Sequence, residues 1–495
     1  MKDLKDFLRQ TLVYGLGKGI GKFIGLFLMP FYTRALSPSD YGILEVLGVG
    51  IFFITAVFNL GLDSASGRFF YMAKTETEKG KVLFTVLVFR FATVIPTLII
   101  AFFSKQISLA LFGSDQYTWI VFVSIMIIPL QLLYSEQEHI YRYFFDAWKF
   151  NFVTVGKLFS TIGLGVFLVV ILKMGILGAQ INDLIGAIFF YLISFLVFNR
   201  NRYTYKFSWY WGKRMLKYGF PLIFAGMAVW ALSVSDRYIL LHFKSTDEVC
   251  LYSIGAKITQ IIGLLAIAVQ MSYGPLVTSK FESDTTADKI ETKKFLSQSW
   301  RLFIIISMLI SLFLSLFSYE IIRILAPPIY NSSILVIPFL LVSKILSQSV
   351  QMTSSGIGLY QKTKHFAWII PVVAGISILL NMVLIPLLGF VGAGITTLIA
   401  NIIQLVISYN ISQRYFYVNR RACNVTIYLL LSGFMACIIP ISEIYGIFHL
   451  SIWTKIFVFL VGISFPFVTG VIDKRSLNEL KNDLQLLIRT DVGKK

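Results

Sequence analysis

The sequence predicts an all-α membrane protein that crosses the bilayer many times, and three observations lead to this prediction. The 495 residues have a mean hydropathy of +0.76, and 57% of them are hydrophobic while only 14% are charged. A soluble chain carries about 25% charged residues, so a set of soluble domains is excluded. Apolar runs of about 20 residues, each long enough to cross ~30 Å of hydrocarbon as a helix, recur from end to end. A β-barrel would instead show short segments of alternating polarity.

The apolar runs predict about 14 transmembrane helices. In chain order, the approximate spans are 11–33, 42–64, 82–103, 117–138, 151–172, 175–198, 218–242, 249–275, 296–319, 331–355, 366–388, 389–411, 425–446 and 451–472. No connection between them is long enough to form a separate folded domain. The start of the chain is charged and no small-residue cleavage site follows its first apolar run, so we interpret that run as a retained span.

The net charge of +19 is explained by topology. An even number of spans puts both termini on one side, and most of the 44 Lys and Arg residues fall in segments on that side. Basic loops face the cytoplasm, so both termini are predicted to be cytoplasmic. Attraction of the basic loops to anionic lipids then accounts for the positive charge, and no nucleic-acid partner is needed to explain it. The opposite loops hold little more than Arg34, Lys105, Lys173, Lys244, Arg323 and Lys455.

Cysteine and histidine spacing gives no sign of a metal site, a disulfide framework or a cofactor. The three cysteines form no CxxC pair, and the four histidines form no HExxH motif. We therefore expect neither a metal nor a cofactor.

A faint internal repeat predicts two parallel lobes of six helices. Tyr14-Gly15 opens the first span and Tyr218-Gly219 opens the seventh, so both helices run in the same direction. The final polar segment has leucines at helical spacing, which predicts an amphipathic helix on the membrane surface. We therefore divide the chain into a first lobe at 1–198, a basic cytoplasmic linker at 199–217, a second lobe at 218–411, two further helices at 412–472 and an amphipathic tail at 473–495.

Basic residues inside the predicted spans indicate a function, because an intramembrane charge is costly unless it is paired or faces water. Lys18 and Lys22 lie one helical turn apart, and Arg90 and Lys257 also fall near mid-depth. A wet cationic cavity that attracts an anion is the favoured interpretation. The alternative is a partner acid, such as Asp183. Lys157, Lys344 and Arg237 lie closer to an interface, where their side chains can snorkel.

Several stretches resemble the polysaccharide flippases of the Wzx-like branch of the multidrug/oligosaccharidyl-lipid/polysaccharide exporter superfamily. In the first half these are LMPFYTRALSPSDYGILEV at 28–46 and GLDSASGRFFY at 61–71. In the second half they are YGFPLIFAGMAVWALSVSDRYIL at 218–240, LYSIGAKI at 251–258 and NMVLIPLLGFVGAGITTLIAN at 381–401. The likeness extends over nearly all of the chain.

The resemblance implies two six-helix lobes around a central cavity, with two additional helices. It also implies that the protein flips an undecaprenyl-pyrophosphate-linked oligosaccharide for surface polysaccharide synthesis. Its partners would be the lipid-linked diphosphate, membrane lipids, and the polymerase and glycosyltransferases of the pathway. The substrate-binding cations would be Lys18, Lys22, Arg90, Arg237 and Lys257.

Related flippases also imply an ion-coupling site in the second lobe. Its candidates here are Asp236, Asn381, Thr397 and Asn401. Ile385 stands where another acid is expected, which argues against sodium as the coupling ion.

Two other functions compete with a flippase. A drug or cation exporter of the same fold would favour acids in its cavity, whereas the bases in the spans outnumber the acids Glu45, Asp63, Asp183 and Asp236. A membrane polymerase or ligase would need a large charged external loop, and the predicted external loops are short. We therefore do not expect an enzyme.

Overall fold

The structure, a computed structural model, describes residues 26–267, 286–360, 362, 364–420, 422–444 and 451–471. All regular elements in these ranges are helical, which confirms the all-α prediction. Among the described residues, nine helices are long and apolar enough to cross a membrane. A tenth span results if the bent pair Pro328–Leu335 and Ile337–Leu359 is counted as one. Most of the first predicted span and the predicted tail lie outside the described residues, so the count of about 14 stays a prediction.

The first half of the chain forms eight helices after the helical residues 26–35. These are α1 (Pro38–Phe58), α2 (Leu62–Met72), α3 (Glu76–Ala92), α4 (Val94–Phe102), α5 (Ser104–Phe112), α6 (Thr118–Tyr143), α7 (Ala147–Val166) and α8 (Gly175–Leu192). π-Helical turns extend α7 over Phe167–Ile171 and α8 over Ile193–Asn199, and a 3-10 turn at Arg200–Arg202 follows. The start of α1 is fixed by Pro38 in its first turn and by Ser37, whose side chain accepts a hydrogen bond from the Asp40 amide.

The second half continues the bundle. It contains α9 (Trp209–Phe243), α10 (Thr246–Ile258), α11 (Thr286–Leu316), α12 (Ser318–Leu325), a 3-10 segment (Pro328–Leu335), α13 (Ile337–Thr353), α14 (Ser355–Leu359), α15 (Lys364–Tyr415), α16 (Ala422–Ile444) and α17 (Ile452–Val468). The span that begins with α10 extends to Ile267.

Helix α9 begins well before residue 218, where the seventh span was predicted to start. Part of the predicted linker 199–217 is therefore helical. Trp211 and Met215, four residues apart, are buried against the protein, while Lys213 and Lys217 stay exposed. This amphipathic pattern forms a helix, but its charge hides it from a search for apolar runs.

Two breaks divide long helical stretches. Leu60 and Gly61 adopt left-handed φ values of 51° and 65° between α1 and α2, inside what was predicted as one span. Gly389, with φ 57° and ψ −138°, bends α15 where the eleventh and twelfth spans were predicted to meet. Glycine adopts such backbone angles at little cost, so both breaks lie where the sequence permits them.

The two halves of the chain pack together along α1 and α2. At the end of the bundle where α1 begins, called the Pro38 end, the Ser39 and Thr246 hydroxyls lie 2.8 Å apart. At the opposite end, called the Met72 end, the Phe69 ring of α2 packs 6.1 Å from the Trp211 ring of α9. Helices α1 and α2 therefore contact α9 and α10 over the full depth of the bundle.

Candidate functional site

A charged group lies where α1 meets α9 and α10. It consists of Glu45, Asp236, Arg237 and Lys257, which we call the interface cluster. Lys257 Nζ lies 2.6 Å from Glu45 Oε1 and donates a hydrogen bond of 2.5 Å to the Tyr41 hydroxyl. Arg237 Nε lies 3.9 Å from Glu45 Oε2. One carboxylate from the first half of the chain therefore holds two cations from the second half.

Asp236 completes the charge balance of the interface cluster. Its Oδ1 lies 3.4 Å from Arg237 Nη1, and its Oδ2 accepts a hydrogen bond from the Tyr252 hydroxyl. The Tyr252 hydroxyl also lies 3.3 Å from the Thr397 hydroxyl of α15. Arg237 Nε donates a further hydrogen bond of 3.1 Å to Ser253. Two acids and two bases thus form one neutral, hydrogen-bonded network.

The interface cluster borders open space. The side chains of Glu45, Arg237 and Lys257 keep 16%, 13% and 29% of their surface exposed. Buried ion pairs are costly to break, because each partner is left with an uncompensated charge. Separation of α1 from α9 and α10 therefore costs free energy, because it removes the Glu45 carboxylate from both cations.

The Pro38 end above this cluster is tightly closed. A side chain at Gly42 of α1 would collide with the Thr246 carbonyl at the start of α10. Deeper in the bundle, the Trp230 indole of α9 donates a hydrogen bond of 3.0 Å to the Val49 carbonyl of α1. The backbones of α1 and α10 approach this closely only because residue 42 has no side chain.

A second charged group, which we call the Arg90 cluster, lies entirely within the first half of the chain. Arg90, in the last turn of α3, is fully buried. Its Nη2 lies 2.6 Å from Asp63 Oδ1, and its Nη1 donates a hydrogen bond of 2.9 Å to Asn59 Oδ1. The same Nη2 lies 3.8 Å from Glu136 Oε2 of α6. His139 Nε2, one turn further along α6, lies 3.5 Å from Asp63 Oδ1.

The break between α1 and α2 positions the acid of the Arg90 cluster. Asn59 caps the end of α1 and donates a hydrogen bond of 2.9 Å from its side chain to Asp63 Oδ2. Asp63 lies in the first turn of α2, where a negative charge interacts favourably with the helix dipole. The break at Leu60 and Gly61 leaves both residues within reach of the same guanidinium.

Helix α9 packs directly on this break. A Cβ atom at Gly61 would lie 2.6 Å from Gly219 Cα, and one at Gly219 would collide with the Leu60 carbonyl. The two backbones touch only because neither glycine carries a side chain. The position of α2 is therefore mechanically coupled to the second half of the chain.

The predicted cations fall in different places. Arg237 and Lys257 meet in the interface cluster, while Arg90 belongs to the other cluster. Lys18 and Lys22 lie outside the described residues. Each of the three described cations has a carboxylate partner, so their charge is locally compensated in this conformation.

The predicted ion-coupling residues are only partly brought together. Asp236 and Thr397 share the tyrosine of the interface cluster. Asn401, one turn after Thr397, donates a hydrogen bond of 2.9 Å to the Thr397 carbonyl. Asn381 is buried and makes no hydrogen bond to the other three in the described part of the chain. Within those same ranges, no group of three or more His, Cys, Asp or Glu side chains is placed to hold a metal ion.

Sequence reasoning missed Glu136 and His139. The fourth span was predicted to end at 138, which places both residues next to the predicted membrane interface. In the structure, α6 continues to Tyr143. Their spacing of three residues puts them on one helical face, and that pattern could have drawn attention to them. Glu45 was noted as an acid near a span, but its role as the partner of two cations depends on helix packing.

A polar cavity of about 310 Å³ lies beside α1 in the first half of the chain. Its lining includes Thr55, Gln131, Thr161, Asn182 and Asp183. Asp183, which was considered as a partner for Lys18 and Lys22, therefore faces open space. This cavity therefore places polar side chains beside α1, in addition to those of the interface cluster.

Solved structures of membrane transporters share this fold. A lipid II flippase MurJ in an inward closed conformation superposes with a TM-score of 0.72 at 18% identity, over 94% of this chain and 99% of that chain. A multidrug resistance MATE family transporter of the MOP superfamily superposes with a TM-score of 0.62 when inward-facing, at 15% identity over 82% and 95% of the two chains. An outward-facing conformation of a multidrug resistance MATE family transporter of the MOP superfamily gives a TM-score of 0.53 at 15% identity, over 83% of this chain and 95% of that chain.

The sequence comparison identifies the family. Among curated proteins, none matches the chain. The family model described as polysaccharide biosynthesis protein matches residues 7–279, which is more than half of the chain and includes both charged clusters. The chain is a multi-pass membrane protein with the fold of MurJ and the MATE transporters, and it belongs to the polysaccharide biosynthesis protein family.

Proposed function

We propose that the protein is a flippase for an undecaprenyl-pyrophosphate-linked oligosaccharide. It would move the repeat unit from the cytoplasmic to the outer leaflet of the bacterial cytoplasmic membrane, for O-antigen, capsule or exopolysaccharide synthesis. The observation that carries the proposal is the interface cluster, in which one carboxylate of α1 holds a lysine and an arginine of the opposite half. Family membership and the flippase-like fold support it.

The interface cluster suggests how substrate binding drives the transition. With the Pro38 end on the outer side, as the basic loops predict, this conformation is closed to the outside. Opening it separates Glu45 from Lys257 and Arg237, which would leave Lys257 without its carboxylate and Arg237 with Asp236 alone. A diphosphate supplies negative charge and acceptor oxygens to both, so its binding lowers the cost of the outward-open state. This is alternating access with the substrate as the replacement anion.

The remaining predictions complete the proposal. Lys18 and Lys22 would attract the diphosphate from the cytoplasmic side, and Arg90 would contribute a cation deeper in the first lobe. Asp236, Asn381, Thr397 and Asn401 stay as candidates for ion coupling. The two lobes at 1–198 and 218–411 would move as units, and the polymerase and glycosyltransferases of the pathway would be the functional partners.

A drug exporter is the second candidate, because MATE multidrug transporters have the same fold. A cationic drug is best held by acids without competing bases. In the interface cluster both acids already have basic partners, which favours an anionic substrate.

A reconstituted transport assay tests the proposal. The full chain is placed in liposomes with a short-chain polyprenyl diphosphate oligosaccharide that carries a fluorescent sugar, and transfer between leaflets is measured with a membrane-impermeant quencher. Glu45→Gln removes the competing carboxylate, so we expect half-saturation at several-fold lower substrate. The variant with Glu45→Gln, Arg237→Gln and Lys257→Met removes the cations as well, and we expect transfer to fall at least about tenfold, as for the loss of ~1.4 kcal/mol.

The matched control is Lys105→Met, which removes a lysine from an exposed pair with Asp115 at 3.3 Å and should leave transfer unchanged. If the triple variant and Glu45→Gln behave alike, the cations serve only to close the Pro38 end, and the proposal for the diphosphate is wrong. Transfer of a cationic dye by the wild type, without transfer of the diphosphate, would instead support a drug exporter.

A further inference from the structure

The Arg90 cluster brings two carboxylates to one guanidinium. Arg90 faces the carboxylates of Asp63 and Glu136. Asp63 lies 2.6 Å from the guanidinium, whereas Glu136 lies 3.8 Å away. Asp63 therefore makes the closer ion pair, and Glu136 interacts with Arg90 more weakly.

Glu136 is also without hydrogen bonds. Its side chain is fully buried, and neither carboxylate oxygen has a hydrogen-bond partner among the described residues. An ionised carboxylate in such surroundings loses its hydration and gains nothing in exchange. Two carboxylates that share one site are stabilised when only one of them is ionised.

Several other titratable groups of the described residues face Glu136. Apart from Asp63 of α2 and Arg90 of α3, they are His139 and Tyr143 of α6 and Tyr203 after α8. The Tyr143 hydroxyl already pairs with Ser66 at 2.6 Å. The Tyr203 hydroxyl accepts a hydrogen bond of 2.9 Å from Gln137.

We infer that Glu136 is a proton-binding site, and that the proton sits on its carboxyl group in this conformation. With Glu136 neutral, the charges of Arg90 and Asp63 balance each other. When the Glu136 O–H bond breaks, the proton leaves through the partly exposed side of the cluster and is taken up by water. The side chains of His139 and Asp63 keep 17% and 33% of their surface exposed, which provides the route for exchange.

Proton release from this site acts on the α1–α2 break. An ionised Glu136 competes with Asp63 for the single guanidinium, which weakens the hold of Arg90 on the start of α2. Gly61, two residues before Asp63, packs on Gly219 of α9, so a shift of α2 is transmitted to the second half of the chain. If the chain transports as proposed above, this makes the proton a coupling ion; the proton site itself does not depend on that function.

Infrared spectroscopy of the full chain in nanodiscs tests the site directly. A neutral carboxylic acid has a carbonyl stretching band that an ionised carboxylate lacks. We expect such a band in the wild type, decreasing as the pH is raised and the carboxyl group loses its proton. Glu136→Gln should abolish it. Glu138→Gln is the matched control, because this neighbouring carboxylate is hydrogen-bonded by Tyr134 and Thr154 at 3.1 Å each and should not contribute.

Stability gives a second measurement. Glutamine mimics the neutral acid, so the Glu136→Gln variant should be at least as heat-stable as the wild type and less dependent on pH. A band that persists in Glu136→Gln, a wild type without the band, or a Glu136→Gln variant that fails to fold would each overturn the proton site.

The coupling is measured separately in the liposome assay with an imposed pH gradient. We expect the gradient to change the rate of wild-type transfer several-fold and to have no effect on Glu136→Gln. If the wild type transfers substrate but neither protein responds to the gradient, coupling through this site is wrong while the flippase stands. If the wild type transfers no diphosphate at all, the flippase fails, and the infrared result still decides the proton site.

Discussion

The interface cluster and the Arg90 cluster use the same residue types in different ways. The interface cluster joins two acids with two bases, and its members come from α1 on one side and from α9 and α10 on the other. The Arg90 cluster offers one base to two acids, and all of its members come from the first half of the chain. The first can be opened by separating helices, whereas the second changes by moving a proton or by shifting α2.

Burial follows the same division. The cations of the interface cluster keep 13% and 29% of their side-chain surface exposed, whereas Arg90 keeps none. A partly exposed cation can exchange one anion for another at moderate cost. A fully buried cation exchanges its partners at higher cost, because release leaves an unhydrated charge. We therefore expect loss of the cation to reduce stability more in the Arg90 cluster than in the interface cluster.

Loss of Arg90 should have the largest effect on stability. Arg90→Met leaves the Asp63 carboxylate without its cation, and removal of one partner of a buried pair costs about 3–5 kcal/mol. We expect a much lower yield of folded protein and a strongly lowered midpoint of thermal aggregation, measured by size-exclusion chromatography after heating. A second variant that adds Asp63→Asn should recover part of the loss, because it removes the orphaned charge. Wild-type stability of Arg90→Met alone would contradict the role given to this cluster.

The glycine contact between the two halves should show the next largest effect. Gly219→Ala places a methyl group against the Leu60 carbonyl, and overpacking of this kind costs about 1–3 kcal/mol. Gly163→Ala is the control, since a Cβ there meets no atom within 4 Å and should be neutral or stabilising. Thermal midpoints of both variants measure the difference. If the two substitutions have equal effects, α2 and α9 do not pack as closely as described.

Opening of the interface cluster can be followed by cross-linking. Cysteines at positions 39 and 246 replace two hydroxyls that lie 2.8 Å apart at the Pro38 end, and they should form a disulfide readily in the otherwise native chain. Glu45→Gln weakens the contact of α1 with α9 and α10, so the cross-linking rate should fall up to about tenfold, corresponding to ~1.4 kcal/mol. Lys105→Met should leave that rate unchanged. An undiminished rate in Glu45→Gln would show that other contacts keep this end closed.

The sequence predicted the helices better than the pairing of their charges. Apolar runs predicted the all-helical fold and a boundary between two spans at residues 388 and 389, where the helix bends, because hydropathy is a local property. The sequence also singled out Arg90, Arg237 and Lys257 as unusual. It could not show that Glu45 faces two of them, because that contact joins residues about 200 positions apart through helix packing. Glu136 was missed for a related reason: its burial depends on how far α6 extends, and polar residues at a helix end hide the boundary.

The smallest effect is expected at Asp146, an acid outside the membrane spans, which provides a reference for both clusters. Burial alone would raise the pKa of Asp146, but the hydrogen bonds and charges of Arg202 and Lys149 outweigh it and hold the pKa below its usual value. Asp146→Asn should therefore cost at most about 1 kcal/mol near neutral pH, because the pair is partly exposed. A lowered pKa stabilises the fold above the usual pKa of about 3.9, and this contribution is lost as the pH falls through the lower value in the folded protein.

Thermal midpoints of wild type and Asp146→Asn should accordingly differ slightly at about pH 7 and converge below about pH 4. A gap that stays constant or widens on acidification would mean that the asparagine disturbs packing and not charge. The contrast with Arg90→Met is the point of the measurement. Both sites pair an aspartate with an arginine, and we expect the larger cost at Arg90 because that pair is buried whereas the Asp146 pair is partly exposed.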